Sequence, residues 1–463
     1  MVMTRETFEH VVQNAFAAIG FSPEAPFVYA WPYALFKGGS DLSPINENID
    51  KIVYGLTKWQ PKTIEKGVYA APKVTVEGKD YEEALANVNN LFIRNMWAEG
   101  LPIIAPTEDR VNWILTGTDL APDTVIGTIL NRGGIATVEA IAVALAMAGG
   151  RPEYLPVLIA IVEGMLHPDV AHQNMQATTN DCYPMAIVNG PIRKDIRLNR
   201  SYGVLGPDPK RPAGGSIGRG LRFLQMNLGG AIPGIGTMAT YGGPARYTNV
   251  VFAEDEDGIP PNWQPPLSVE RGFPEGSNVV TVHVVNGNLM TPKMGDSVDL
   301  LAEQAQNLIT SWALAMGVMN EQYWKFFNPK GAPGVLLVNR SVSGLVSEAG
   351  WTKEDVKKDL WEQSKLPGIP LMRLQVEDSV RRGRLDETDV QWPMPICASP
   401  ENIIIVVAGG LTHLRGYWMP SGGQGIAPVS VEIKHLPPKA KWDELMKQAE
   451  EDLGAIQEDI TIE

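Results

Sequence analysis

Positions 167–184 read HPDVAHQNMQATTNDCYP and bring together two histidines, two threonines, two asparagines, two aspartates and one of only two cysteines in 463 residues. Imidazole, carboxylate and thiolate together are what a divalent transition metal takes, so His167, His172 and Asp181 are the candidate metal ligands. The histidines are five positions apart and Pro168 lies between them, which is not the i, i+4 spacing that aligns two ligands on one helix face. The competing reading is that both imidazoles cap or hydrogen-bond a helix end. Cys182 is a candidate nucleophile if a base such as His172 or His413 lowers its pKa, against the alternative of a small core residue. The hydroxyls of Thr178 and Thr179 are further candidates, since they could hold a substrate carboxylate.

Anion chemistry is suggested farther along. Arg219 and Arg222 lie three apart after Gly214-Gly215-Ser216, a sequence that reads as a helix start with Ser216 as N-cap and exposed N–H groups. A bound anion would satisfy both the arginines and the amides; the alternative is that Arg219 pairs with Glu254 or Glu256 of the acidic run FAEDEDG. That run reads as a solvated turn, or else as a catalytic carboxylate or a subunit contact. Gly409-Gly410-Leu-Thr-His413 follows the apolar run NIIIVVA, and in open α/β sheets ligands gather beyond the carboxyl ends of strands. His413 is therefore the first general acid/base candidate. Asn189, Arg219, Arg222, Gly409 and Gly410 are the expected substrate contacts, and the expected site lies between the two halves of the chain, with Thr178 and Thr179 facing His413.

These side chains need supports. Val138, Ile141, Ala142 and Leu145, then Leu155, Leu158, Ile159, Val162 and Leu166, recur at helical spacing around Gly149-Gly150 and Pro152, which predicts a buried helical hairpin. Strands are predicted at 74–76, 101–104, around AIVNGP, at 278–285, 335–339, 402–408 and 429–433, and helices at 81–99, 216–228, 299–317 and 352–365, the last with Thr352 and Asp355 as a capping box. Strand and helix alternate, so the fold class is α/β, mixed α+β being the alternative, with helices layered on partly parallel sheets. The domains expected are an N-terminal wrapping extension (1–80, the alternative being a substrate lid), a helix-hairpin and glycine-rich domain (81–275), an α/β domain (276–438) and a charged helical tail (439–463). The glycine-rich stretch 229–243 has no Lys-Ser/Thr tail and no strand-first G-x-G-x-x-G, so it implies close backbone packing rather than a nucleotide. The sequence shows no internal repeat.

A formal charge of −14 argues against nucleic acid and anionic membrane as partners. No apolar run reaches a membrane-spanning length without a charge, and no secretory signal is expected at the N-terminus. Two cysteines in so long a chain fit a reducing cytosol, so the expectation is a cytoplasmic protein, oligomeric, with a small-molecule substrate.

The segments GLPIIAPTEDRV, ATVEAIAVALAMAGGRPEYLPV, QATT, IVNGPI, SIGRGLRFLQ and LSVERGF resemble an uncharacterised bacterial family, over residues 85–280 most closely. The resemblance implies fusion to, or genomic proximity with, a small protein carrying a Cys- or selenocysteine-Gly-Ser-Cys motif. Gly150 stands where that family has a cysteine and Asn180 where it has a histidine, so roles of those side chains do not carry over. The expectation is an enzyme or enzyme subunit, an oxidoreductase or lyase, acting on a small anionic metabolite by thiol- or selenol-linked redox or carbon–heteroatom bond cleavage. The alternatives are a non-catalytic scaffold for the motif-bearing partner and a metal-binding protein using 167–182.

Overall fold

The apolar run after Thr137 folds as its spacing predicts, into α1 (Val138–Met147) and α2 (Leu155–Leu166). The Thr137 hydroxyl caps α1 by accepting the Ala140 N–H, and Gly149, at φ +70°, turns the chain where a side chain would be strained. A Cβ on Gly150 would come within 2.3 Å of the Leu145 side chain and 2.9 Å of its carbonyl oxygen, so the turn packs tightly there. The computed structural model describes residues 2–18, 20–21, 28–60, 73–287, 289–291, 300–318, 331–368, 370–383, 386–411, 414–422 and 427–455.

Eight strands, β1 (Cys182–Asn189), β2 (Val250–Ala253), β3 (Val279–Asn286), β4 (Leu289–Met290), β5 (Gly334–Val338), β6 (Ile404–Val407), β7 (Gly416–Pro420) and β8 (Val429–Glu432), build two sheets in the orders β8-β3-β1-β2 and β6-β5-β7-β4. Alternate side chains of the first sheet, Tyr183, Met185, Ile187, Val250 and Phe252, pack against Val335, Leu337, Ile404, Val406 and Met419 of the second. Ala186, Val188, Val280 and Val282 face the other way, onto α1, α2 and the helix α4 that follows α3 (His172–Ala177), α4 being Ala213–Asn227. Leu336, Val338, Ile405 and Trp418 likewise meet α5 (Leu301–Val318), α6 (Arg340–Glu348) and α7 (Lys353–Gln363). The fold is therefore α/β in four layers, helix, sheet, sheet, helix, with parallel and antiparallel pairs in both sheets. Burial on both faces is why these strands read as continuous apolar runs. Each such buried side chain contributes roughly 1.5–3 kcal/mol.

The sequence shows no repeat, yet the topology has one. β1 pairs parallel with β2 and antiparallel with β3, just as β5 pairs parallel with β6 and antiparallel with β7. Registers coincide too: the Glu254 N–H donates to Val188 O as the Ala408 N–H donates to Val338 O, which makes Asn189 and Asn339 counterparts. The fourth strands are exchanged, since β4 follows β3 in the chain but pairs with β7, and β8 follows β7 but pairs with β3.

Several expectations are corrected. Residues 74–76 and 101–104 are not strands; of the latter only Ile103 is buried. Ser216 is not an N-cap: α4 begins at Ala213, with Pro212 before it. Gly214 and Gly218 lie inside the helix because a Cβ at either would stand 2.3 Å from Val251 O or 1.9 Å from Thr248 O. Glycine here lets a helix press on the backbone of β2 at Val251 and of the turn before it at Thr248, and the exposed N–H groups of a helix start are not beside Arg219. The tail expected to be helical does form a helix, α8 (Lys439–Leu453), and it packs on the fold: Trp442, Leu445 and Ala449 are buried, and Trp442 Nε1–H reaches Asp195. No helix among the described residues is long and apolar enough by itself to cross a membrane.

Candidate functional site

The residues singled out from sequence separate into two groups at opposite ends of β1. Asn189 ends the strand that Cys182 begins, and eight residues of strand span roughly 23 Å.

At the Asn189 end the acidic run is not a solvated turn. Asn189 is wholly buried and its Nδ2 donates to Glu254 (2.7 Å) and Glu256 (2.9 Å). Asp255 accepts from Arg200 and Arg340, one arginine from each half, while Arg193 bonds Glu256 and Asp257. Glu254 is fully buried, its Oε2 accepts the Leu267 N–H as well, and burial pushes its pKa up to about 7 despite the pull of Lys353 and the Asn189 amide. Gly409 and Gly410 belong to this end: Gly409 N–H donates to Arg200 O and Gly410 O accepts from Asn339. A Cβ on Gly410 would meet the Tyr202 ring at 2.3 Å, so the strand end is filled by protein. Thr412 and His413 lie outside the described residues. Asn189, Gly409 and Gly410 thus stand in a charge-matched network that ties the sheets together, away from Thr178.

The candidate metal ligands do not come together in the described structure. Among the described residues no three His, Cys, Asp or Glu gather as ligands. His167 is exposed and its Nδ1 accepts the Asp169 N–H at 3.2 Å, which is helix-end capping; His172 is buried and its Nε2 accepts the Leu130 N–H at 3.1 Å. Burial holds the His172 pKa down to about 4, so it is a neutral acceptor. Asp181 accepts the Gly242 N–H at 2.7 Å.

Arg219 and Arg222 do not act as a pair. Arg219 bonds Glu99 at 2.6 Å and the Pro102 carbonyl at 2.7 Å, so it is neutralised, though by neither Glu254 nor Glu256. Arg222 turns inward, 7% exposed, and donates to Ala231 O at 3.0 Å. Its neighbour in charge is a second cation: burial first, then repulsion from Arg246, pushes its pKa down to about 10, with only a partial counter-pull from Glu99. Arg246 is half-buried and spends its guanidinium on Asn180 O (3.1 Å) and Thr237 Oγ1 (3.0 Å). Burial lowers its pKa as well, against favourable coupling to Cys182 and Asp181. Neither arginine forms an ion pair with a carboxylate among the described residues.

Around them the 176–182 segment, α4 and the glycine-rich loop pack polar side chains together. Thr178 closes α3 and its hydroxyl accepts the Asn180 N–H at 3.2 Å; Thr179 is exposed and its carbonyl accepts the Thr240 N–H. These threonines therefore shape the loop that offers Asn180 O to Arg246. Cys182, fully buried, forms no disulfide with Cys397 and lies near enough to Arg246 for charge on one to favour charge on the other. Asn249, held at φ +46°, donates to Gly218 O and Gln225 Oε1, both at 3.1 Å, and Gln225 Nε2 reaches Met175 Sδ at 3.9 Å. The loop itself is close packing, as expected: a Cβ on Gly236 would stand 1.7 Å from Gly230 O.

Sequence reasoning found Arg222, Thr178, Asp181 and Cys182 of this cluster, and missed Arg246, Thr237, Gln225, Asn249 and Gln176. One signal was available, since Gln176 lies four residues after His172 and Gln225 three after Arg222, on the same helix faces. Comparison of the chain with protein-family models, with curated proteins and with solved structures finds no match to any of them.

Proposed function

We propose that the protein is an enzyme, or the ligand-binding subunit of one, that takes a small anionic metabolite at Arg222 and Arg246 for thiol- or selenol-linked redox or carbon–heteroatom bond chemistry. The observation that carries the reading is that two inward-set guanidiniums repel one another without a carboxylate bonded to either. A buried charge left unmatched costs several kcal/mol, whereas every other buried arginine or lysine cluster described above is matched by acid. A ligand anion supplies the missing charge. Cys182 is the nucleophile this site offers. Its complete burial favours a second arrangement, in which a Cys- or selenocysteine-Gly-Ser-Cys partner supplies the reacting group and Cys182 packs the wall.

Thermal unfolding with inorganic phosphate tests the anion site. Ligand at a hundredfold excess over its Kd stabilises the folded state by about 2.7 kcal/mol. Phosphate should raise the Tm of the wild type and leave Arg222→Met and Arg246→Met unmoved, while Arg222→Met without ligand should be at least as stable as wild type, because an unmatched buried charge has been removed. A wild type indifferent to phosphate, or a strongly destabilised Arg222→Met, would show both arginines to be structural. Iodoacetamide modification of Cys182, followed by peptide mass, separates the thiol's roles: slowing by phosphate places the thiol at the site, and inertness in both conditions favours the partner's group.

A further inference from the structure

Gln176 is the polar side chain of this cluster that no internal contact explains. It is 1% exposed, and neither its Oε1 nor its Nε2 has a hydrogen-bond partner. The amide is held in place by close packing: a Cβ on Gly229 would stand 2.7 Å from Oε1 and 2.9 Å from Nε2, so the amide lies flat against the chain where only glycine allows it. Two residues on, Ala231 O accepts from Arg222, and the adjacent Met175 touches Gln225, which Asn249 binds. Amide and guanidinium therefore border the same turn. Buried amides are almost always bonded, so one whose donor and acceptor both go unused within the chain takes its partners from outside it, an ordered water or a ligand.

We infer that Gln176 is the specificity-determining residue of this site, and that the preferred ligand is a small dianion bearing a hydroxyl beside its charged group. The inference rests on the anion reading above and adds the second half of the ligand to it. Two guanidiniums match two negative charges. The amide Nε2–H donates to a ligand oxygen, and Oε1 accepts from a ligand donor. That donor is a hydroxyl and not an ammonium, since a third positive charge beside Arg222 and Arg246 would be repelled by both. A site built to bond a hydroxyl rejects the analogue without one, because its own polar groups are then left buried and unpaired.

The test compares two matched pairs of probes by thermal shift: L-malate against succinate, and glycerol 3-phosphate against propyl phosphate. In at least one pair the hydroxylated member should stabilise the wild type at a tenfold or greater lower concentration, and the pair that responds distinguishes a carboxylate ligand from a phosphate one. Gln176→Leu should erase that difference, keep the response to the deoxy compound, and without ligand unfold at or above the wild-type temperature, since an unpaired buried amide has been removed. Equal responses within both pairs, an equal weakening of both members by Gln176→Leu, or a ligand-free Gln176→Leu less stable than wild type would overturn the inference while leaving the anion site standing. No response to any of the four dianions or to phosphate would instead remove the anion reading itself.

Discussion

At the scale of single residues, the two ends of β1 use burial in opposite ways. Arg222 and Arg246 bond only carbonyl and hydroxyl oxygens and feel carboxylates at a distance, whereas Asp255 and Glu256 are bonded directly by Arg200, Arg340 and Arg193. Glu254 is the exception at its own end. Its carboxyl has an ordinary value of 4.5 and titrates near 7 in the fold, so between those values the folded state holds a proton that the unfolded chain releases. Stability from this group is therefore fully present below about pH 4.5 and is lost as pH rises through 7, a difference on the order of 3 kcal/mol. His172, with its pKa held down to about 4, has the opposite slope: stability grows as pH rises from 4 to 6.5. Glu254→Gln should abolish the loss above pH 6 and leave the rise from His172, read as Tm from pH 4.5 to 8. A variant that still loses stability between pH 6 and 8 would mean that Glu254 is ionised throughout that range. None of this was legible in FAEDEDG, because four acids in seven residues look the same whether solvent or arginines from both halves surround them.

Elements were more legible than contacts. Helical spacing located α1, α2 and α5, the Thr352–Asp355 capping box forms, and β1, β3, β5, β6 and β8 sit where apolar runs predicted strands. The failures have one physical origin. Gly214, Gly215 and Ser216 look like a loop and cap, yet they belong to α4 because tertiary packing on β2 outweighs the helix propensity that glycine lacks. The same observation sets two substitutions against each other. Gly218→Ala would put a methyl 1.9 Å from the Thr248 carbonyl oxygen, a backbone atom that cannot swing away, and should cost about 1–3 kcal/mol despite alanine's better propensity. Gly344→Ala, in α6 with nothing within 4 Å of the new methyl, should instead stabilise by about 0.5–1 kcal/mol. Urea midpoints give both signs, and equal effects at the two positions would show that α4 does not press on the Thr248 backbone just before β2 as described. Because α4 also carries Arg222 and Gln225, this contact helps position the side chains of the proposed anion site.

At the scale of the whole molecule, the repeated strand order and the exchanged edges decide how the chain can come apart. A division near 276 is suggested by the composition shift, but the sheet that starts at Cys182 takes β3 and β8 from beyond that point. The repeat stayed invisible in sequence because its two copies share register and an Asn at the strand end and little else; apolar strand positions accept any branched side chain. Cutting at 275 would strip from β1 the strand carrying Val279, Val280, Val282, Val284 and Val285, each no more than 1% exposed. Five such side chains are worth on the order of 10 kcal/mol, comparable with the whole stability of an ordinary domain. The fragments 1–275 and 276–463 should each be unfolded or insoluble alone and regain structure when expressed together, and the intact chain should unfold in urea in one transition seen alike by far-UV dichroism and tryptophan fluorescence. Two separated transitions, or a soluble 1–275 fragment that still binds phosphate, would mean that the strand exchange does not couple the halves and that the Arg222–Arg246 site stands on the first half alone.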